Sequence, residues 1–384
     1  MKKKGKKIGI DARLYGPSGK GLGRYIQEVV DNILKIDQDN DYIIFLHKDN
    51  FDEFQTKKNN VKKVKVNARW YTLKEQIIFP YLILKENLDL VHFPHFNVPV
   101  FTPTKFVVTI HDLILTKFPT IRASTLGPLL YRIKNLAYKV VIKLAIKRSK
   151  KVITVSEFTK KDILKQFETN PEKIEVTYEG VANLIKDRDS LLVSGSGDTK
   201  TLLSYNIDNN FLLYVGNAYP HKNLEGLIKV FVELNKNNPD ISLVLVGKHD
   251  YFYQRLKIWV KENYSDLPII FTGYVPDEKL GVFYQKALVY VFPSLYEGFG
   301  LPPLEAMSRG CAVVSSNRSS MPEILGEAAM YFDPENEKEM IGKIEKAIQD
   351  EQLREGLVKK GKLQVKKYSW QECAKETLEI YNNV

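Results

Sequence analysis

The chain has 384 residues, of which 44% are apolar and 27% charged, so it is long enough for two domains that each bury a core. Its net charge of +11 at pH 7 favours an anionic partner: a nucleic acid, an acidic membrane surface or a phosphorylated small molecule. Two cysteines, Cys311 and Cys373, exclude a disulfide-stapled secreted domain and indicate a reducing compartment.

Neither an export signal nor a membrane span is expected from the sequence. The basic N-terminus is followed by an apolar run that is too short for a signal peptide. The most apolar helical stretch, residues 136–151, is interrupted by Lys139 and Lys143, and no segment offers about 18 uncharged apolar residues. We therefore expect a cytoplasmic protein, with peripheral association at the inner face of the cell membrane as an open alternative.

Short β-branched runs alternate with helical patterns along the chain. In the first half we predict strands in KKIGIDA, DYIIFLH, DLVHFPH, KFVVTIHD and KKVITVS, helices in GRYIQEVVDNILKI and, with Ser156 as N-cap, EFTKKDILKQF, and KIEVTYEG as the closing segment. In the second half we predict strands in NNFLLYVGN, ISLVLVGK, PIIFTGYV, ALVYVFPS and CAVVSS, and helices in NLEGLIKVFVELNKN, PLEAMSRG and EKEMIGKIEKAI. This alternation predicts an α/β fold of βαβ units with parallel sheets.

A polar stretch rich in Gly, Ser and Asp separates the two halves. We interpret residues 186–210 as a linker with a short helix, which leaves residues 1–185 and 211–366 as two doubly wound domains facing a central cleft. Ligands of such sheets bind outside the carboxyl ends of the strands. We therefore expect the polar residues and the glycine that close the strands to face this cleft: Asp11, His92, His111, Asp112, Asn217, Gly247 and Glu297.

Two glutamates, Glu297 and Glu305, flank a loop rich in glycine and proline that joins a strand to a helix. Gly298 and Gly300 allow backbone N–H groups to approach a ligand closely, and a helix N-terminus binds phosphate. We place Glu305 in the first turn of the helix. Because a carboxylate accepts two hydrogen bonds from a vicinal diol, the stretch suits a diphosphate with a sugar at each end. An ordinary turn beside a helix-terminal charge is the alternative.

Two further loops follow predicted strands. Lys222, in YVGNAYPHKN, stands where a cation neutralises a leaving diphosphate, although a solvated surface lysine is the more common case. The loop GPSGKGLGRY lacks the spacing of the dinucleotide-binding fingerprint, because Gly19, Gly21 and Gly23 alternate. This loop stays open as a phosphate or sugar contact, or as a flexible connection between strand and helix.

Three other patterns carry less weight. The ligand-type residues His92, His95, His111 and Asp112 match no zinc motif in their spacing, so we expect no metal. The aspartate pairs in 37–41 and 187–189 lie in polar turns and the linker, where a Mg²⁺ site is not expected. The basic helical run from Arg132 to Lys151 suits either a membrane surface or the solvated side of a core-facing helix, and both stay open.

Together these motifs resemble the family 4 retaining glycosyltransferases, whose GT-B fold pairs two Rossmann-like domains. The resemblance rests on the E-x7-E pair, YPHKNL, SGKGLGRY, TIHDL and VHFPHFNVP, which occur in the right order and cover essentially the whole chain. It is closest to bacterial mannosyltransferase-like members that build surface polysaccharides. The resemblance implies an acceptor-binding N-terminal domain, a donor-binding C-terminal domain and a last helix, residues 367–384, that crosses back to the N-terminal domain.

The resemblance also implies roles for individual residues. Glu305 would hold the ribose hydroxyls of a nucleotide-sugar donor, Glu297 would contact its hexose, and Lys222 would neutralise the diphosphate. His111 would lie beside the transferred sugar, and Gly21 would approach the diphosphate from the N-terminal domain. The remaining donor contacts would come from backbone N–H groups of the glutamate loop, from the lysine loop and from a base site, namely Phe299, Gly300, Leu301, Asn217, His221, Gly247, Tyr274 and Val275.

One position departs from the family pattern. Many members carry an arginine shortly after the glycine that precedes the lysine, where this chain has Asn217. The second cation for the diphosphate is therefore missing from its usual place. His221, Arg13 and Arg24 are the candidates to replace it.

The implied reaction is metal-independent hexose transfer with retention of the anomeric configuration. GDP-mannose is the favoured donor and a UDP-hexose the alternative, while the acceptor is a glycan or a lipid-linked oligosaccharide, and no cofactor is needed. The competing classes are a nucleotide-sugar epimerase, a catalytically inactive homologue and a nucleic-acid-binding module. The glutamate pair with Lys222 disfavours the first two, and no nucleic-acid motif supports the third.

Overall fold

The backbone of the chain divides into two compact units. The computed structural model describes residues 5–118, 128–181 and 195–384. The first unit comprises Met1–Gly180 and Ser369–Val384, and the second is the continuous stretch Val181–Tyr368. Residues 186–194, the part of the predicted linker that precedes its short helix, lie outside the described part of the chain. This range includes the aspartate pair in 187–189.

A parallel sheet of seven strands forms the centre of the first unit. The strands are β1 Lys7–Asp11, β2 Asp41–His47, β3 Val61–Val66, β4 Leu90–Phe93, β5 Phe106–Ile110, β6 Lys151–Thr154 and β7 Ile174–Val176. The helices are α1 Lys20–Ile36, α2 Leu73–Glu86, α3 Ile114–Lys117, α4 Pro128–Arg148, α5 Glu157–Gln166 and the last helix of the chain, α14 Trp370–Asn383. The strand order is β3-β2-β1-β4-β5-β6-β7, with every neighbouring pair parallel.

The second unit repeats this plan with six parallel strands. They are β8 Asn210–Val215, β9 Ile241–Val246, β10 Ile269–Gly273, β11 Val289–Phe292, β12 Val313–Ser316 and β13 Ala329–Phe332, in the order β10-β9-β8-β11-β12-β13. The helices are α6 Gly195–Leu203, α7 Leu224–Asn237, α8 Tyr251–Asn263, α9 Asp277–Lys286, α10 Leu301–Ser308, α11 Met321–Leu325, α12 Glu337–Gln349 and α13 Glu351–Gln364.

Both sheets reverse their strand order at one point. The first strand lies inside the sheet, the next two add to one side, and the fourth adds to the other side. The reversal falls between β1 and β4 in the first sheet and between β8 and β11 in the second. Loops that leave such a pair diverge and open a crevice outside the carboxyl ends of the strands, where doubly wound sheets bind ligands. The predicted α/β architecture of two doubly wound domains is confirmed.

Burial explains why these strands form. The central strands β4, β5 and β11 are buried along their whole length and are mainly apolar, as expected for parallel strands covered on both faces. The N-cap prediction for α5 is also confirmed, because the Ser156 side chain accepts a hydrogen bond from the Thr159 N–H. Among the described residues, no helix combines the length and the apolar character needed to cross a bilayer.

The last helix, α14, packs against α1, and buried polar contacts tie it to the first sheet. The Tyr381 hydroxyl lies 2.6 Å from His92 Nδ1, and His92 Nε2 lies 2.8 Å from Thr109 Oγ1. Burial, with a smaller effect of nearby His111, lowers the pKa of His92 to about 3. The expectation that His92 faces a ligand site is therefore wrong, because this neutral ring is fully buried and bonded at both nitrogens.

We expect Tyr381→Phe to lower the free energy of unfolding by about 1–3 kcal/mol, because it leaves a buried nitrogen of His92 without its partner. Chemical denaturation measures the change. Tyr81→Phe removes a hydroxyl from a ring that is 62% exposed in the same unit. We expect this control to change stability by less than about 0.5 kcal/mol. Equal stability of the two variants would show that the contact with His92 does not hold α14.

Candidate functional site

An ion pair joins the two loops that leave the second sheet at its reversal point. The loop after β8 ends in a short 3-10 turn, Pro220–Lys222, and the loop after β11 carries Glu297. Lys222 Nζ lies 2.5 Å from Glu297 Oε1, and the two side chains are only 13% and 9% exposed. The ammonium group also lies 5.6 Å from the centre of the Phe292 ring. Two residues to which the resemblance assigns donor contacts therefore meet at the position where doubly wound sheets bind ligands.

Hydrogen bonds from the loop after β12 hold the backbone around Glu297. The Glu297 N–H donates to Ser319 Oγ at 2.9 Å, and the Ser320 hydroxyl donates to the carbonyl oxygens of Glu297 and Phe299, each at 3.1 Å. The Phe299 ring is buried and packs edge-on against Tyr368. Sequence reasoning missed both serines, although their position after a predicted strand was the available signal.

The glycine at the end of this loop starts helix α10. Gly300 has a φ of 99°, and a Cβ there would lie 2.4 Å from the Met321 methyl group. The first N–H groups of a helix have no intrahelical partner, and Pro302 and Pro303 have no N–H at all. Gly300 and Leu301 therefore supply the amide donors at this helix start. These donors and the helix dipole favour an anion here.

Glu305 lies in the second turn of α10. The prediction that it lies in the first turn is wrong, because the helix begins at Leu301. The Tyr284 hydroxyl on α9 donates a hydrogen bond of 3.1 Å to Glu305 Oε2. Glu305 is half-buried, and this hydrogen bond orients its carboxylate. No sequence motif pointed to Tyr284.

Three buried tyrosines fix the loop after β8. Their hydroxyls donate to three consecutive carbonyl oxygens: Tyr290 to Val215 at 3.3 Å, Tyr253 to Gly216 at 3.0 Å and Tyr214 to Asn217 at 2.8 Å. Burial raises the pKa of all three tyrosines, so they remain protonated donors. The Asn217 Oδ1 accepts from the Tyr219 N–H at 3.2 Å. Asn217 thus orders the backbone of the loop through its side-chain oxygen. An arginine side chain has no hydrogen-bond acceptor and could not make this contact.

The residues proposed for the nucleotide base lie at the ends of β9 and β10. A Cβ on Gly247 would come within 2.2 Å of the Gly216 carbonyl oxygen, so close passage of two loops requires glycine there. Tyr274 is 66% exposed, whereas Val275 beside it is buried. The exposed Tyr274 ring offers a flat face for a base, and the base site stays a prediction.

Two of the three candidates for the missing cation do not fit that role. The Arg13 guanidinium is fully buried and binds Asp11 at 2.7 Å and Glu75 at 2.6 Å, so its charge is neutralised inside the first unit. Burial, followed by the charge of Lys222, lowers the pKa of His221 to about 4, which leaves its ring neutral at pH 7. A donor contact of neutral His221 stays a prediction, as does Arg24 as the cation.

Two predicted residues, His111 and Gly21, belong to the first unit. His111 Nδ1 lies 3.1 Å from Glu179 Oε1 and Nε2 lies 3.0 Å from the Pro94 carbonyl oxygen. Because both partners are acceptors, this geometry favours the imidazolium form, in which both ring nitrogens donate. Burial lowers the pKa of His111, but the hydrogen bond and charge of Glu179, with the Pro94 carbonyl and Asp112, outweigh it and raise the pKa. Neither nitrogen is then available as a base.

Glu179 contacts His111 and was missed by sequence reasoning, although it lies near the end of the closing segment of the first half, after β7. Gly21, by contrast, is exposed in the first turn of α1, and a Cβ there would meet nothing within 4 Å. Packing therefore gives no reason for glycine at this position. Close approach of a ligand remains the predicted reason.

No group of three His, Cys, Asp or Glu side chains within residues 5–118, 128–181 and 195–384 is arranged to hold a metal ion. The ring nitrogens of His92 and His111 have protein partners, and the remaining imidazole of the group belongs to His95. Burial, followed by the charges of His111 and Arg13, lowers the pKa of His95 to about 3, so this ring is neutral. Metal independence of the reaction stays a prediction.

The chain shares its whole architecture with a known enzyme. Sucrose-phosphate synthase from Thermosynechococcus elongatus is similar with a TM-score of 0.78 and 19% sequence identity, over 98% of this chain and 98% of that one. The two Rossmann-like units with parallel sheets, together with this likeness, place the chain in the GT-B fold class.

Sequence comparison narrows this class. A family profile described as "Glycosyl transferases group 1" matches residues 203–364, and one described as "Glycosyltransferase Family 4" matches residues 19–182. O-antigen chain mannosyltransferase B of Escherichia coli is 30% identical over 305 residues, 78% of this chain and 75% of that protein. O-antigen chain mannosyltransferase RfbU of Salmonella typhimurium is 28% identical over 339 residues, 84% and 86% of the two chains. The chain belongs to glycosyltransferase family 4, which confirms the resemblance noted in its motifs.

The raised pKa of His111 makes the stability of the first unit depend on pH. Because the folded-state pKa lies above the unfolded value of about 6.5, this contribution is complete below that pH and is lost as pH rises through the folded-state pKa. We expect Glu179→Gln to reduce the loss, because it removes the carboxylate that raises the pKa. Denaturation curves at pH values from about 6 to 9 measure the slope.

Glu175→Gln is the matched control for this pH experiment. Glu175 lies on β7, pairs with Lys151 and is 43% exposed at its side chain, so its loss should leave the slope unchanged. A slope in Glu179→Gln as steep as in the wild type would assign the pH dependence to another group.

We expect Lys222→Met to destabilise the second unit by about 3–5 kcal/mol, because it leaves a largely buried carboxylate without its cation. The double variant Lys222→Met, Glu297→Gln removes both charges and should be more stable than Lys222→Met alone. Urea denaturation of the wild type, both single variants and the double variant yields the coupling energy. A coupling energy near zero would mean that the two side chains do not interact in solution.

Proposed function

We propose that this glycosyltransferase moves a hexose, mannose in the first place, from a nucleoside diphosphate sugar to a hydroxyl of a glycan or lipid-linked acceptor. Surface polysaccharide or glycolipid synthesis is the proposed setting. The observation that carries the proposal is the Lys222–Glu297 pair at the reversal point of the second sheet. The names of the two O-antigen mannosyltransferases support mannose as the hexose.

The second unit offers a partner for each part of such a donor. The Lys222 ammonium supplies positive charge, and the N–H groups of Gly300 and Leu301 supply amide donors at the start of α10, so both suit the diphosphate. Glu305 suits the ribose diol, since a carboxylate accepts two hydrogen bonds. Glu297 suits the hexose hydroxyls. A bound donor would place its diphosphate on Lys222 and its sugar on Glu297. These contacts would replace the ion pair between Lys222 and Glu297.

We also propose retention of the anomeric configuration without a metal ion. The bond from the anomeric carbon to the diphosphate breaks, and the acceptor oxygen bonds to the same face of that carbon. The acceptor proton passes to the leaving diphosphate oxygen, a route supported by the contacts of His111, whose two ring nitrogens both face acceptors of the protein. Lys222 stabilises the negative charge of the leaving group. NMR of the product should show the donor's configuration, with full activity in EDTA; an inverted product would contradict the mechanism.

We further propose that the protein works in the cytoplasm, at the inner face of the cell membrane. Both cysteines are free and buried, which supports a reducing compartment. A lipid-linked acceptor would bring the enzyme to the membrane surface.

The donor is tested by thermal shift with GDP-mannose, UDP-glucose, UDP-galactose, UDP-GlcNAc and ADP-glucose. A donor that binds only the folded state raises the melting temperature. We expect the largest shift with GDP-mannose. Glu305→Gln should weaken its binding by about 10- to 100-fold, because hydrogen bonds to a charged group contribute about 1.5–3 kcal/mol.

The matched control is Glu233→Gln on α7, whose side chain is 51% exposed and pairs with Lys236 on the same helix. This variant should bind the donor like the wild type. A larger thermal shift with a UDP-hexose would identify that nucleotide sugar, and not GDP-mannose, as the donor. Binding of a donor without turnover toward any acceptor or water would favour the catalytically inactive homologue, and an unchanged affinity in Glu305→Gln would remove Glu305 from the site.

A further inference from the structure

Helix α2 carries large apolar side chains on two of its faces. Phe79 and Ile83 are fully buried in the core of the first unit. Four others are exposed: Leu73 by 86%, Ile77 by 73%, Tyr81 by 62% and Leu84 by 62%. Their spacing of four, four and three residues places them on one side of the helix, in what we call the outer stripe. A surface helix normally has polar residues on this side, so a contiguous apolar stripe marks an interaction surface.

The exposed charges of α2 are all positive. Its two acidic residues, Glu75 and Glu86, are buried and form ion pairs with cations of the same unit. Lys74 and Lys85 are exposed and lie near the two ends of the outer stripe. Apolar side chains flanked by lysines match a phospholipid surface that has apolar tails beneath anionic headgroups.

A cationic cavity opens beside the N-terminal end of the stripe. Its volume is ≈ 520 Å³, and it is lined by His47, Lys48, Asn67, Arg69, Thr72 and Lys74. Asp49 is an acidic neighbour and lies 3.0 Å from the His47 ring. Three lysine and arginine side chains against one carboxylate leave the cavity positive. Such a group of donors suits a phosphate.

We propose that the outer stripe and this cavity dock the protein on an anionic phospholipid bilayer, with the stripe in the interfacial layer and a lipid phosphate in the cavity. This deepens the proposed location at the membrane by naming the surface, and it does not depend on the identity of the donor. The proposed surface is on α2, whereas the sequence left the basic run of α4 open as a membrane surface or as the solvated side of a core-facing helix. Among the α4 side chains that the structure describes, residues 135–148, the exposed large apolar ones are Leu136 and Val140, at 65% and 48%.

Charge favours a bilayer over a second copy of the chain as the occupant. A symmetric dimer would place the outer stripe against itself. Lys74 and Lys85 of one copy would then face lysines of the other, which is unfavourable. Anionic headgroups have the opposite sign, and each basic residue near them adds to binding.

Co-sedimentation with vesicles tests the proposal, using phosphatidylcholine alone and phosphatidylcholine mixed with phosphatidylglycerol. We expect the wild type to bind the anionic vesicles more tightly. The double variant Ile77→Ser, Leu84→Ser should lose about tenfold or more in affinity, because two apolar side chains no longer enter the interface. The double variant Arg69→Gln, Lys74→Gln should lose about fivefold per charge on anionic vesicles, with little change on phosphatidylcholine.

The matched control is Leu136→Ser, Val140→Ser on α4, which should bind vesicles like the wild type. Vesicle binding that survives both in Ile77→Ser, Leu84→Ser and in Arg69→Gln, Lys74→Gln would overturn the proposal. So would vesicle binding that is lost only in the α4 variant. Sedimentation velocity without lipid adds a second test: a wild-type dimer that becomes monomeric in Ile77→Ser, Leu84→Ser, with no vesicle binding, would assign the stripe to self-association instead. The donor-induced thermal shift should be unchanged in the variants of the stripe and of the cavity. Failure of the membrane proposal is therefore distinguishable from failure of the donor site.

Discussion

The contact between Lys222 and Glu297 is possible only because the strand order of the second sheet reverses between β8 and β11. That reversal makes neighbours of two loops that are 75 residues apart in the chain, and a 2.5 Å ion pair closes the gap between them. Each charge offsets the cost of burying the other. Serines from the next loop hold the glutamate, and three tyrosines hold the loop that leads to the lysine, so the pair rests on a rigid frame.

The two sheets share a strand order and differ in what fills the reversal point. In the first sheet the loop after β1 places Arg13 in a buried network with Asp11 and Glu75, so its guanidinium is not available to a ligand. In the second sheet the charged pair keeps some exposure and lies beside a helix start with amide donors. One fold thus supports two uses: a closed network that stabilises the unit, and an accessible pair that suits a donor. This difference favours the second unit as the donor-binding one.

Much of the fold was predictable because central parallel strands are continuous apolar runs. Strand β3 escaped notice because an edge strand tolerates lysines, as in VKKVKV, and helix α2 because it is apolar on two faces and contains Pro80. The glutamates and the lysine of the site were found through their motif and spacing. Their contact with each other, and the support from Ser320, could not be, because a pairing across 75 residues depends on topology that a local pattern does not contain.

The placement of α14 has a consequence for synthesis on the ribosome. This helix completes the first unit, yet it follows the whole of the second unit in the chain. Domains generally fold as they emerge, the N-terminal one first. Here the first unit is completed last. The second unit is one uninterrupted stretch and can fold while the first unit still lacks α14, the helix that covers α1 and supplies the partner of His92. Until that helix emerges, the nascent first unit exposes an apolar surface on which a chaperone could bind.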